Sequence, residues 1–72
     1  MRKFHEILKE LRLENHISQK KLSVEIGISE SHYQSYEYGK TKPTIDNLIK
    51  FCLYFNVSAD YLLGLSDKKE RK

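Results

Sequence analysis

The stretch from Leu22 to Tyr36 constrains the fold more than any other part of the chain. Leu22 and Ile26 stand i, i+4 apart, which puts both on one side of a helix. Ser23 is small at a point where a second helix must pass close. Gly27 takes a left-handed turn at little steric cost. Ile28 plugs the corner, and Ser29 opens the next helix as its N-cap. Tyr33 and Tyr36, i, i+3 apart, then fold back onto the first of the two helices. Any one of these offsets is weak evidence. Seven positions together, with caps at Ser18 and Ser29, describe two short helices meeting at a steep angle.

Apolar spacing elsewhere is helical as well. Phe4, Leu8, Leu11 and Asn15 share a face with Ile7 beside them, which predicts a first helix over 3–14. The second follows Ser18 and stops at Gly27. The third is capped by Ser29 and ends at Gly39. Pro43-Thr44 starts a fourth, with Ile45, Leu48, Cys52 and Phe55 as its inward stripe. Ser58 caps a short fifth helix over 59–63, with Asp60 near its positive end and Gly64 closing it. No Asn-Gly or Asp-Gly hairpin signal appears. Residues 66–72 are polar and are expected as a disordered tail, leaving 3–65 as one domain.

Size and composition remove most function classes. The 72 residues allow one small domain that buries roughly 60% of the surface its unfolded chain exposes. One cysteine forbids an internal disulfide and suits a reducing compartment. His5, His16 and His32 share no helical spacing and read as surface residues, so neither a metal nor a cofactor is expected. No apolar run approaches the ~20 residues of a membrane span. The N-terminus leads into no apolar segment, so no signal peptide is expected and the location reads as cytoplasmic. Ser18-Gln19-Lys20-Lys21 matches the Ser-x-x-Lys pattern of acyl enzymes but lacks every companion motif. An enzyme is not expected. Lys plus Arg number 13 against 10 Asp plus Glu, a net charge of +3. That mild excess is compatible with a nucleic-acid partner.

The joint pattern is that of a helix-turn-helix, and the chain resembles the Cro/repressor-type (XRE) helix-turn-helix DNA-binding proteins of bacteria and phages. The resemblance rests on Ile17-Ser18-Gln19, Leu22-Ser23, Ile26-Gly27-Ile28-Ser29, Tyr36-Glu37-Tyr38-Gly39-Lys40, Pro43-Thr44 and Asn56-Val57-Ser58-Ala59-Asp60-Tyr61-Leu62-Leu63-Gly64. It implies an all-α, compact five-helix repressor-like DNA-binding domain containing a helix-turn-helix. It implies double-stranded DNA as partner, with the helix over 29–38 in the major groove, and the function of a small transcriptional regulator, a repressor.

The resemblance also assigns roles. Glu30, Ser31, Gln34 and Ser35 match base-reading positions; Ser serves either base type, Gln suits adenine and Glu accepts from cytosine. Gln19, Ser29, His32, Tyr38, Lys40 and Lys42 match the phosphate-contacting set. Arg12 and Glu37 match a pair that forms a salt bridge between the first helix and the recognition helix. Glu30 departs from the family pattern, as do His32 and Tyr33, where an aliphatic residue is common at the Tyr33 position. From Ser18 to Gly39 two Lys face three Glu, so the motif itself is not basic. The positive charge lies beside it, in Arg2, Lys3, Lys40, Lys42 and the tail.

Ile49 and Leu53, i, i+4 on the fourth helix, with Tyr54 nearby, are candidates for a two-fold contact. A homodimer on a roughly palindromic operator is expected. The competing expectation is an antitoxin or adaptor that binds DNA but whose main task is to hold a regulatory protein partner.

Overall fold

The structure, a computed structural model, describes residues 2–70. Its helices are α1 Phe4–Glu14, α2 Gln19–Ile26, α3 Glu30–Glu37, α4 Ile45–Phe55 and α5 Ala59–Leu62. No strand occurs among the described residues. Four helices start on a hydroxyl cap. Ser18 Oγ accepts from the Lys21 N–H at 3.0 Å, Ser29 Oγ from His32 at 3.1 Å, Thr44 Oγ1 from Asn47 at 3.1 Å and Ser58 Oγ from Tyr61 at 3.0 Å. Each cap satisfies an N–H that the helix leaves without an internal partner. α1 lacks such a residue, and the Glu6 carboxylate reaches back to the Lys3 N–H at 3.0 Å instead. Lys3 is therefore the cap of α1 and not its first residue, and Leu63 is likewise the residue that ends α5.

Ile7, Leu8 and Leu11 of α1, Leu22 and Ile26 of α2, and Tyr33 and Tyr36 of α3 close on Phe51 of α4. Phe51 is fully buried, with the rings of Phe4, Tyr33 and Tyr36 at 6.3, 6.0 and 6.0 Å around it. Of the inward stripe expected for α4, Leu48, Cys52 and Phe55 pack on the core and Ile45 does not. Ile45 is 76% exposed, and the face that packs inward is Asn47, Phe51 and Cys52, with Leu48 and Phe55 partly buried. Asn47 goes in because its Nδ2 donates to the Tyr36 hydroxyl at 2.8 Å, so the core face includes Asn47 and Phe51 beside the stripe that apolar spacing suggests.

α3 packs across α1 and α2, so one side is held and the other faces out. Gly64, at φ 80°, closes α5 where the N-terminal segment crosses, and a Cβ there would run into the Arg2 carbonyl oxygen. Residues 66–70 differ from the free tail expected. The Ser58 N–H donates to the Lys69 carbonyl at 2.8 Å, Lys69 Nζ lies 3.1 Å from Glu14, and the same ammonium sits 5.7 Å above the Tyr61 ring. Arg71 and Lys72, the end of that expected tail, lie outside the described residues.

Candidate nucleic-acid interface

The inner side of α3 is built around one carboxylate. Glu37 is 3% exposed. Its oxygens accept from Arg12 Nε and Nη2, both at 2.9 Å, from the Tyr33 hydroxyl at 2.5 Å, and from Gln19 Nε2 at 3.2 Å. Arg12 Nη1 also donates to the Ile17 carbonyl at 3.0 Å, which ties the end of α1 to the entry of α2. A buried charge is tolerated only when paired and hydrogen-bonded, and Glu37 is both. Burial pushes its carboxyl up; the bonds from Arg12, Tyr33 and Gln19 outweigh that and hold it below the ordinary value. Arg12 is held above its ordinary value by Glu37. Burial first, and then the Glu37 carboxylate, push the Tyr33 hydroxyl up, so it stays a proton donor. The Tyr33 and Tyr36 hydroxyls both end inside, on Glu37 and on Asn47.

The network continues outward. Gln34 Nε2 donates to Gln19 Oε1 at 3.1 Å, and the Tyr38 hydroxyl lies 3.5 Å from Gln19 Nε2. Gln34 is thus half-buried against α2, whereas Glu30 and Ser31 are exposed at the start of α3. Ser29 and Ser31 share a hydroxyl hydrogen bond at 3.3 Å. Ser35 Oγ donates to the His32 carbonyl at 2.6 Å and pairs with Thr41 Oγ1 at 2.8 Å. The exposed His32 ring lies tilted against Tyr36, with ring centres 4.8 Å apart. Tyr38, Lys40 and Lys42 stand exposed in the turn that follows, where Gly39 sits so close to His5 that a Cβ would lie 3.1 Å from the ring.

The flanking charge is unequal in availability. Arg2 is bonded to Glu10 at 2.6 Å and Lys69 to Glu14. Lys3, Lys40 and Lys42 carry no ion pair among the described residues, and Lys3 and Lys42 border one cleft of about 500 Å³ with His5 and Gly39. Hydrogen-bonding groups at the centre, the Glu30 carboxylate the one charged among them, with unpaired ammonium groups to one side suit a polyanion whose interior carries hydrogen-bonding edges.

A helix-turn-helix family model matches residues 8–62. The chain belongs to the helix-turn-helix family. Among its relatives is an uncharacterized HTH-type transcriptional regulator YobD of Bacillus subtilis (strain 168), 37% identical over 65 residues, covering 90% of this chain and 58% of that protein. The HTH-type transcriptional regulator ImmR of the same organism is 33% identical over 64 residues, covering 89% and 50%. The chain therefore spans 50 to 58% of the length of these curated relatives. Its fold is similar to a crystal structure of the P22 c2 repressor in complex with a synthetic operator. The TM-score is 0.84 at 26% identity, covering 92% of this chain and 100% of that one. The Cro/repressor type and the all-helical architecture expected from the sequence are what these comparisons support.

In helix-turn-helix terms, α2 and α3 are the two helices of the motif and Gly27 (φ 86°) is its turn. Ser23 is 2% exposed with its hydroxyl turned onto the Lys20 carbonyl at 2.6 Å, which permits the close crossing. Three participants escape a sequence reading. Thr41 joins Ser35, and its only signal is its place between Lys40 and Lys42. The Tyr33 hydroxyl joins Glu37, signalled by a polar-tipped residue at an aliphatic position. The Gln34–Gln19 bond spans 15 residues and has no local signal. No helix of the described residues is long and apolar enough to cross a membrane.

Proposed function

We propose that this helix-turn-helix chain binds double-stranded DNA by sequence and acts in transcriptional regulation as a repressor, with α3 in the major groove. The likeness to a repressor solved on its operator carries this reading. Side-chain placement supports it. Glu30 and Ser31 form the exposed edge at the start of α3, with half-buried Ser35 one turn further on, and the N-terminal residues of a recognition helix enter the groove first. Gln19, Ser29, His32, Tyr38, Lys40 and Lys42 ring that edge, at positions suited to phosphates. The Arg12–Glu37 pair fixes the angle at which α3 is offered. No catalytic role is assigned, and a protein with this task works in the cytoplasm at the nucleoid.

Two copies would read two half-sites about one helical turn apart. Ile49 is 50% exposed, Leu53 58% and Tyr54 41% on the outer side of α4. They adjoin a groove of about 310 Å³ that Cys52, Val57 and Ala59 complete. This face supports a two-fold contact between copies.

Selection from random duplexes, followed by a salt titration, tests the reading. Recovery of a palindrome whose affinity falls steeply with salt is expected. No enrichment at any salt concentration would refute it.

A further inference from the structure

Gln34 stands on the recognition helix, yet its amide is turned away from the outward edge and onto α2. The polarity of that contact is dictated from inside the protein. Arginine only donates and a carboxylate only accepts. Glu37, already holding Arg12 and Tyr33, requires the Gln19 NH2 to face it. The Gln19 carbonyl oxygen must then face away from Glu37, and the group it meets is the Gln34 NH2 at 3.1 Å. Gln19 Nε2 donates to Glu37 at 3.2 Å and, at the long limit of 3.5 Å, to the exposed Tyr38 hydroxyl, a bond that a closer phosphate oxygen would replace.

We infer that Gln34 is a positioning residue that holds the Gln19 amide so that the N–H on the long Tyr38 contact serves a DNA phosphate, and that it does not read a base. This rests on the DNA-binding reading above. It separates Gln34 from Glu30 and Ser31, which are exposed on the same helix, and from Ser35, which is half-buried with its hydroxyl on His32 and Thr41. It also makes the buried Arg12–Glu37 pair the origin of a directed chain of donors: Glu37 orients Gln19, and Gln34 locks the far end of the same amide.

The test uses Gln34→Met, which keeps the length of the side chain and removes the donor, alongside Gln19→Met and the double variant. Each is measured for affinity to the duplex selected by the wild type, for base preference by selection, and for thermal stability. Losing one neutral hydrogen bond predicts an affinity about three- to tenfold weaker for each single variant. The double variant is expected to match the weaker single and not the product of the two. Base preference should stay as in the wild type for all three, and the melting temperature for Gln34→Met; Gln19→Met and the double variant also lose a donor to buried Glu37, so their affinities are compared per folded molecule. Replacing the contacted phosphate by an uncharged methylphosphonate should weaken the wild type and leave Gln34→Met nearly unchanged. A changed preference at one base pair would make Gln34 a base reader and overturn the inference. So would multiplicative losses, or an affinity loss that vanishes once corrected for the folded fraction. A wild type that binds no duplex would remove the DNA reading, and this inference with it.

Discussion

Replacing Arg12 by Met strands the carboxylate at the centre of the interface. Glu37 would keep Tyr33 and Gln19 as donors but lose both bonds at 2.9 Å and its counter-charge, while being 3% exposed. Breaking such a buried pair from one side costs about 3–5 kcal/mol, because the remaining charge is desolvated without compensation. For a domain of this size that corresponds to roughly 12–40 °C in melting temperature, at ~4–8 °C per kcal/mol. The pH dependence gives a sharper result, because its sign reverses. In the wild type the folded Glu37 carboxyl lies below its ordinary value of 4.5. Its contribution is therefore present above that value and is lost as pH falls through the depressed folded one. Without Arg12, burial dominates and lifts the folded value above the unfolded one. Stability should then rise as pH falls from neutral toward that range, since protonation relieves the stranded charge. Urea unfolding followed by circular dichroism, repeated between pH 7 and acid, reads both slopes. The triple variant Arg12→Met, Tyr33→Phe, Glu37→Met removes the charge together with its Arg12 and Tyr33 partners, leaving the half-exposed Gln19 amide, and should recover most of the loss. A cost below about 1 kcal/mol for Arg12→Met, or a slope of the same sign as the wild type, would refute the account of Glu37 as a buried, dependent charge.

Gly64→Ala should cost more than Gly27→Ala in the same unfolding assay. Both glycines have positive φ, about 1–2 kcal/mol for an L-residue, but only at Gly64 does the new Cβ meet backbone, the Arg2 carbonyl, whereas Gly27 faces open space. Glu30→Ala should relax base preference in a duplex selection without weakening nonspecific binding, since an exposed carboxylate near phosphates helps only when it accepts from a base; unchanged selectivity across operator variants would remove Glu30 from the reading set. Leu53→Lys should lower the mass seen in sedimentation at high concentration, and equal masses for variant and wild type would take the outer face of α4 out of the dimer proposal.

Local chemistry was the legible part of the fold. Ser18, Ser29, Thr44 and Ser58 cap helices because the competition between a hydroxyl and a backbone carbonyl is settled within three residues. Gly27 turns the chain for an equally local reason. The inward placing of Asn47 and Phe51, and the exposure of Ile45, were not legible. The helix is apolar over most of its surface, from Ile45 through Leu48, Ile49, Phe51, Cys52, Leu53, Tyr54 and Phe55, so apolar spacing does not select a face. The Asn47–Tyr36 bond selects it, and that partner is a polar residue on another helix. The base of α3 follows the same rule: the Arg12–Glu37 pairing follows from family resemblance, while the bonds of Tyr33 and Gln34 depend on where three helices meet.

Charge shows the cost of reading a window of sequence as if it were a surface. From Ser18 to Gly39 Lys20 and Lys21 face Glu25, Glu30 and Glu37, a sum of −1 that makes the motif look ill-suited to a polyanion. In the folded chain Glu37 is buried and paired to Arg12, which lies outside that window. Including Arg12 brings the sum to zero. Glu25 is matched by Lys21 at 3.3 Å on the opposite side of α2 from the core. One acidic group, Glu30, then remains at the outward edge of α3, against Lys3, Lys40 and Lys42 beside it. An isolated carboxylate in that setting either repels the backbone of a nucleic acid or accepts from a base amino group. The net attraction of the flanking lysines makes it tolerable in the first case and selective in the second. Phosphate attraction and base discrimination are thus carried by different residues, and changing Glu30 alone should alter one without the other.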